Sequence, residues 1–287
     1  MPTLKEYNIK LARLRSTHKM TKTMKMVAAN KLRKAQEAHR RAMDYADRIH
    51  AVAARLAFDK DLHGNPFLLP RPVRRVLVLL VTSERGLCGG FNNNLHRKLS
   101  KWISHRTGQA GRVELLCCGK KGFVYFKNKA HMRGQYEGVT LKPAFADAMR
   151  IGADVRKAFL DGEADEVWLA YNVSGSAMSH VPTIERLLPV EHPRAAFETS
   201  GFETWIVEPK GPGFVDMLIP RYVNMKIFFA LLSNSMGEHG ARMAAMDSAT
   251  RNAENLIDVN TLLRNRARQT KITTELIEVV AGAEALK

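Results

Sequence analysis

Sixty-one consecutive residues, from Thr3 to His63, contain neither glycine nor proline. The absence removes the two residues that most often end a helix and excludes a chain of short elements joined by tight turns in this stretch. Acid is missing as well. Residues 7 to 36 carry nine Lys and Arg and no Asp or Glu, and residues 1 to 60 carry fifteen basic against five acidic groups, +10 of the chain's +17. Three cysteines, Cys88, Cys117 and Cys118, are too few for a disulfide framework, and the adjacent pair lies in an apolar run that reads as buried strand. A reducing compartment fits that usage. No run approaches twenty apolar residues, and Val76 to Val81, the longest candidate, is strand-sized, so no membrane span is expected. The charged amphipathic N-terminus lacks the apolar segment of a signal peptide.

Chemical motifs are equally sparse. The ten histidines show no His-x-x-x-His or Glu-x-x-His spacing, which leaves a metal site without support. No serine, histidine and acid assemble into a nucleophilic triad by spacing. Ser83 to Asn92, Ser-Glu-Arg-Gly-Leu-Cys-Gly-Gly-Phe-Asn, follows a strand pattern and opens a helix, where a phosphate loop would sit. It has neither the Gly-Lys-Ser/Thr of a Walker loop nor Gly-x-Gly-x-x-Gly, and reads as a tight strand-to-helix turn. These absences predict a chain with no catalytic residue, metal or cofactor.

What is present is helix at both ends. Leu4, Tyr7, Leu11, Leu14, His18, Thr21, Met24, Ala28, Leu32, Ala35, Ala38, Ala42, Tyr45, Ile49, Val52 and Leu56 recur at steps of three and four, the seam of a coiled coil. At 1.5 Å per residue such a helix reaches roughly 80 Å and needs a partner of similar length. From Arg221 the chain reads as helix again. Past Gly240 it runs on with Met246, Ala249, Ala253, Leu256, Asn260, Leu263, Ala267, Thr270, Thr274 and Ile277 in a similar register. The small seam residues allow close approach, and Asn260 is placed to fix register at some cost in stability. The two helices are expected to pair antiparallel. Pro220 is placed either to begin the second helix or to kink it.

Between them, turn-rich clusters at His63-Gly64-Asn65-Pro66 and Pro209-Lys210-Gly211-Pro212-Gly213 mark boundaries. The expected domains are 1–63, an N-terminal coiled-coil helix; 64–212, a Rossmann-like α/β domain; and 213–287, a C-terminal coiled-coil helix. Within the middle domain, Arg75 to Thr82 reads as a strand buried on both faces, Phe91 to His105 as helix, and Val113 to Cys118 as strand. Gly122 to Lys127 and Ala144 to Leu160 read as helices and Glu166 to Val173 as strand, with Ser179 to Leu188 or Glu203 to Val207 as candidate edge strands. The fold class is therefore α/β: an open Rossmann-like sheet with an antiparallel coiled coil of the terminal helices.

The acid-free helix calls for a polyanionic partner, either nucleic acid or an acidic protein. With only Tyr7, Tyr45 and Phe58 to stack on bases, and an apolar seam that wants protein, nucleic acid is the weaker reading.

Four segments, in order, carry a resemblance that runs from end to end of the chain. They are Lys19-Met20-Thr21-Lys22-Thr23-Met24-Lys25-Met26-Val27-Ala28-Ala29-Asn30-Lys31, then Glu84-Arg85-Gly86-Leu87-Cys88-Gly89-Gly90, then Arg242-Met243-Ala244-Ala245-Met246, and finally Asn265-Arg266-Ala267-Arg268-Gln269-Thr270-Lys271-Ile272-Thr273-Thr274-Glu275-Leu276. Together they resemble the gamma subunit of F-type ATP synthases. The resemblance implies a non-catalytic rotor. Its paired terminal helices would stand inside a hexamer of alpha and beta subunits, with the α/β domain against the epsilon subunit and the ring of c subunits. It further implies a peripheral location on the cytoplasmic face of the bacterial plasma membrane, and no nucleic acid partner. By position in the family pattern, Met24, Lys25, Arg85, Cys88, Arg242, Arg268, Gln269, Thr273 and Glu275 would meet beta, and Glu208 would meet epsilon and the c ring. Two departures stand out: Glu84 replaces the usual aspartate, and no paired-cysteine insert of the redox-regulated chloroplast kind is present.

Overall fold

The structure, a computed structural model, describes residues 3–56, 65–175, 179–190 and 212–284. Five helices and five strands follow in the order α1 (Leu4–Leu56), β1 (Arg75–Val81), α2 (Phe91–Ala110), β2 (Arg112–Cys118), α3 (Lys120–Phe126), β3 (His131–Tyr136), α4 (Phe145–Leu160), β4 (Glu166–Ser174), β5 (His180–Leu188) and α5 (Pro212–Glu284). The chain divides into two compact units: Met1–Ala29 with Arg242–Lys287, and Asn30–Ala241.

The larger unit is built on one sheet of order β3-β2-β1-β4-β5. β1 lies parallel to β2 and β4, β2 parallel to β3, and only the edge strand β5 runs antiparallel to its neighbour. β1 is buried from Val76 through Val81, as its unbroken β-branched and leucine run requires of a central parallel strand. Alternation sends Val76, Val78 and Leu80 to one face, where they meet Leu95 and Leu99 of α2 and Phe126 of α3. Leu77, Leu79 and Val81 go to the other, against Ile151, Val155 and Phe159 of α4 and buried residues of α1 and α5 such as Ile49 and Ile227. Each fully buried aliphatic or Phe side chain contributes about 1.5–3 kcal/mol, so both faces of the sheet are closed by helix.

In the smaller unit, the beginning of α1 and the second part of α5 pair antiparallel. Lys25 Nζ donates to Asp247 Oδ1 at 2.5 Å, and Thr250 Oγ1 to Thr21 Oγ1 at 2.9 Å, so the partner number falls as the α1 number rises. Leu11, Thr21 and Ala28 are buried from one helix and Met246, Ala253 and Asn260 from the other. A Thr3/Glu6 box starts α1: Thr3 N–H donates to Glu6 Oε2 at 2.9 Å and Glu6 N–H to Thr3 Oγ1 at 3.3 Å.

Several expectations need correction. Tyr45 is 52% exposed while Ala46 packs inward, because a straight helix of 3.6 residues per turn drifts out of a 3.5-residue seam. Leu256 and Leu263 are also exposed. Thr270, Thr274 and Ile277 are exposed because the antiparallel offset brings the start of α1 level with about residue 267 of α5, beyond which no described helix lies opposite. α5 begins at Pro212, not Arg221, and runs through Pro220; proline at the first helical position suits its fixed φ. β3 was not foreseen in the sequence. His-Met-Arg-Gly-Gln-Tyr has a central glycine and no alternation, and is made a strand by pairing with β2. Leu56 has no described side chain, and Glu203 to Val207 lie outside the described residues.

Candidate functional site

The glycine turn after β1 is held by its own polar side chains. Ser83 N–H donates to Asn92 Oδ1 at 3.1 Å, Asn92 Nδ2 donates to Ser83 Oγ at 2.7 Å and to Cys88 Sγ at 3.3 Å, and Ser83 Oγ donates to the Arg85 carbonyl at 2.7 Å. Both ends of the turn are thereby tied to the first turn of α2. Leu87 has φ 62° and Gly89 φ 56°, the left-handed conformations that reverse the chain. Leu87 is 64% exposed and Arg85 is exposed, whereas Cys88 is buried with Phe91 and Ala241. Of the two turn residues expected to face a partner, Arg85 lies on the outside and Cys88 beneath it.

Glu84 joins this turn to two others. Its Oε2 accepts from Lys120 N–H at 3.1 Å and its Oε1 from Gly138 N–H at 2.7 Å. One carboxylate thus spans the ends of β1, β2 and β3. Beside it, Gly119 (φ 101°) and Gly122 let α3 close onto β1, where Gly122 N–H donates to Thr82 Oγ1 at 2.8 Å.

The sheet reverses direction of winding between β1 and β4, and the crevice beyond those strand ends is where doubly wound folds hold ligands. Here α5 fills it. Ser174 N–H donates to Ser233 Oγ at 2.9 Å, Ser174 Oγ donates to the Ser233 carbonyl at 3.0 Å, and Asn172 Nδ2 donates to the Phe91 carbonyl at 3.3 Å. Gly237 permits the approach, since a Cβ there would lie 2.3 Å from Ser174 Oγ. Sequence reasoning missed this use of α5; the glycine was legible, but not the surface it faces.

The other expected contact residues lie in the coiled-coil unit. Met24 and Lys25 are half-buried, and the Lys25 ammonium, hydrogen-bonded to Asp247 and helped by Arg251, holds that carboxyl below the usual range. Arg242 is half-buried. Arg268, Gln269, Thr273 and Glu275 are exposed in the part of α5 past the start of α1, where Lys271 and Glu275 pair at 3.5 Å. Met24, Lys25 and Arg242 are thus close along one helical pair, Arg268 to Glu275 form a second group, and Arg85 and Cys88 belong to the α/β unit. Glu208 lies outside the described residues. Among the described residues no group of His, Cys, Asp and Glu could hold a metal ion, and no helix is long and apolar enough to cross a membrane.

Comparison with known proteins agrees with this architecture. The family model described as ATP synthase matches residues 3–286. An ATP synthase gamma chain of Geobacter sp. (strain M21) is 38% identical over 287 residues, covering all of both chains. That of Chlorobaculum parvum is 42% identical over 293 residues, again with full coverage of both. Among solved structures, a chain of the Euglena gracilis mitochondrial ATP synthase (OSCP/F1/c-ring) shares the fold with TM-score 0.66 at 19% identity, over 99% of this chain and 94% of that one. A chain of the Tetrahymena thermophila mitochondrial ATP synthase central stalk and c-ring aligns with TM-score 0.60 at 23% identity, over 80% of this chain and 99% of that one. With its antiparallel helix pair, its five-stranded sheet and relatives matched over their full length, the chain belongs to the family of ATP synthase gamma chains.

Proposed function

We propose that the chain couples ion flow through a c-subunit ring to ATP synthesis or hydrolysis on beta subunits, by rotating inside a hexamer of alpha and beta, and that it carries no catalytic site of its own. The observation that carries this reading is the part of α5 beyond the start of α1. There Ile272, Leu276, Val279 and Val280 form an exposed stripe at helical spacing, which this chain leaves uncovered among the described residues. A surrounding collar of other subunits would cover it. Arg268, Gln269, Thr273 and Glu275 at its rim would touch beta, as would Met24, Lys25 and Arg242 lower on the pair. Arg85 would meet an acidic segment of beta, with Cys88 beneath it setting the turn. Glu208 would meet epsilon and the ring. The acid-free stretch of α1 from residue 7 to 36 supports acidic protein surfaces as partners.

Exposed charge pairs contribute only about 0–1 kcal/mol each, so contacts of this kind can break and re-form at every step. Energy enters at the membrane at about 2.3 kcal/mol per charge per 100 mV, and asymmetric contacts with the shaft return it as changes in nucleotide affinity at beta. The non-catalytic assignment is supported by α5 filling the crevice where a doubly wound sheet would take a nucleotide. A peripheral place at the cytoplasmic face of the bacterial membrane accompanies this role. The test is reconstitution: the isolated chain hydrolyses no ATP, but with alpha, beta and the remaining subunits in membrane vesicles it restores ATP synthesis driven by an ion gradient. Hydrolysis by the chain alone, or synthesis without it, would sink the proposal.

A further inference from the structure

A concave cleft of about 540 Å³ lies between the glycine turn, the first turns of α2 and one side of α3. It shares the glycine turn, Cys88 included, with the contacts proposed above, while Asn92, Asn93, His96, Lys121 and Lys129 take no part in them. Its lining includes Lys121 and Lys129 and no acidic residue. Neither lysine has a carboxylate partner among the described residues; Lys129 Nζ rests 3.7 Å from the centroid of the Tyr125 ring.

The start of α2 adds donors. Its N-cap, Gly90, makes no side-chain cap, and the first turn contains no acid. Phe91 N–H is bonded to the Cys88 carbonyl and Asn94 N–H to the Gly90 carbonyl, while the Asn92 and Asn93 N–H groups between them find no acceptor among the described residues. Both asparagines line the cleft. A 20-residue helix with an uncapped, acid-free start presents partial positive charge and free N–H groups in one direction.

His96, one turn further along α2, is the independent indication of a ligand. It lines the same cleft, is 3% exposed, and neither ring nitrogen has a hydrogen-bond partner among the described residues. It stacks on Tyr125 at 4.4 Å and meets the edge of Phe126. A buried imidazole with two unsatisfied nitrogens is costly unless a ligand or water completes it. Burial, with the charge of Lys129, lowers its pKa to about 4, so at neutral pH it has one N–H to donate.

We propose that this cleft binds a phosphoryl dianion, the chemistry shared by inorganic phosphate and the phosphate of a nucleotide. The α2 N–H groups and His96 would supply directed donors, and Lys121 and Lys129 the neutralising charge. The cleft is several times the volume of a water molecule's roughly 30 Å³ share of liquid, so it has room for a phosphate with its attached sugar.

The experiment is a titration of the full-length chain, labelled with ¹⁵N-histidine, with inorganic phosphate and then with AMP at constant ionic strength, reading the His96 imidazole signals by NMR. A saturable shift of His96 with phosphate is expected, and the Lys121→Ala/Lys129→Ala variant should weaken it at least tenfold while Lys22→Ala on α1 leaves it unchanged. Saturation by AMP but not by free phosphate would also support the site, with a nucleotide as the source. The proposal is overturned if neither ligand saturates, if Lys22→Ala weakens binding as much as the double variant, or if only an Asp/Glu-rich peptide moves His96. Should the double variant lose its circular dichroism, Lys129→Gln carries the same comparison.

Discussion

Gly237 of α5 and Ser174 at the end of β4 approach so closely that a Cβ on the glycine would lie 2.3 Å from the serine oxygen, and 2.8 Å from Cε2 of Phe91. Ser174 cannot swing away freely, because its hydroxyl donates to the Ser233 carbonyl, and Phe91 is completely buried. Gly237→Ala would gain about 1 kcal/mol of helix propensity against about 1–3 kcal/mol of overpacking. A net loss of up to about 2 kcal/mol is expected, read as a lower urea midpoint; a raised midpoint would show that the crevice is not filled as described.

Gly119 is a harsher case. Its φ of 101° is unfavourable for any side chain, and a Cβ would lie 2.3 Å from the Thr82 carbonyl oxygen, part of the backbone. Gly119→Ala should cost about 3 kcal/mol or more, from strain and overpacking together. Thermal unfolding of the variant checks this, and a loss under about 1 kcal/mol would contradict the close passage of β1 and the start of α3.

Asn260 is 2% exposed in the coiled-coil unit; its Nδ2 donates to the Leu256 carbonyl at 2.6 Å, while its Oδ1 is buried without a partner among the described residues. An unsatisfied buried acceptor costs about 1–3 kcal/mol, and leucine has nearly the same volume. Asn260→Leu should therefore raise stability by about 1–2 kcal/mol, measured by chemical denaturation. A fall would mean that Oδ1 is satisfied in solution.

The Lys25–Asp247 pair makes stability depend on pH in one direction. Asp247 has a lower pKa folded than unfolded, the hydrogen bond from Lys25 being the largest cause, with Arg251 beside it. Its contribution is therefore present above the unfolded carboxylate value of about 3.9 and lost as pH falls through the lower folded value. Double-mutant cycles with Lys25→Ala and Asp247→Ala should show a favourable coupling at pH 7 that shrinks with salt and vanishes at low pH. A coupling unchanged at low pH would exclude the ion pair.

The cysteines should be inert in the folded chain. Burial pushes the Cys117 thiol up to about 12 and the Cys118 thiol higher still, and Cys88 is buried beneath the glycine turn. Iodoacetamide at pH 8 is expected to label none of the three until denaturant is added, followed by mass spectrometry. Rapid labelling of Cys88 would mean that the turn opens.

Helix and strand positions with strong local signals were readable in advance. The apolar run at Val76 to Val81 could only be a central strand, and the absence of glycine and proline after Thr3 marked α1. Pairing direction was readable too, because a long seam at each end leaves few other solutions. What escaped depended on partners distant in sequence. β3 is ordered by β2, Tyr45 faces out through accumulated helical drift, and the seam past Ala267 ends where α1 has its start. The glycine turn was legible as a turn, but the burial of Cys88 depends on Ala241, more than one hundred and fifty residues away. His96 carried no sequence signal at all, since only the fold removes its partners.

The central claim is that this chain turns within a ring of catalytic neighbours. It is tested most directly by fixing a hexamer of alpha and beta subunits containing the chain to a surface, attaching a bead to the α/β unit, and watching the bead during ATP hydrolysis. The account predicts unidirectional rotation in discrete steps that stops when a disulfide links α5, at a cysteine placed at Gln269, to beta, and resumes on reduction. Undiminished ATP turnover with a bead that never rotates would contradict it.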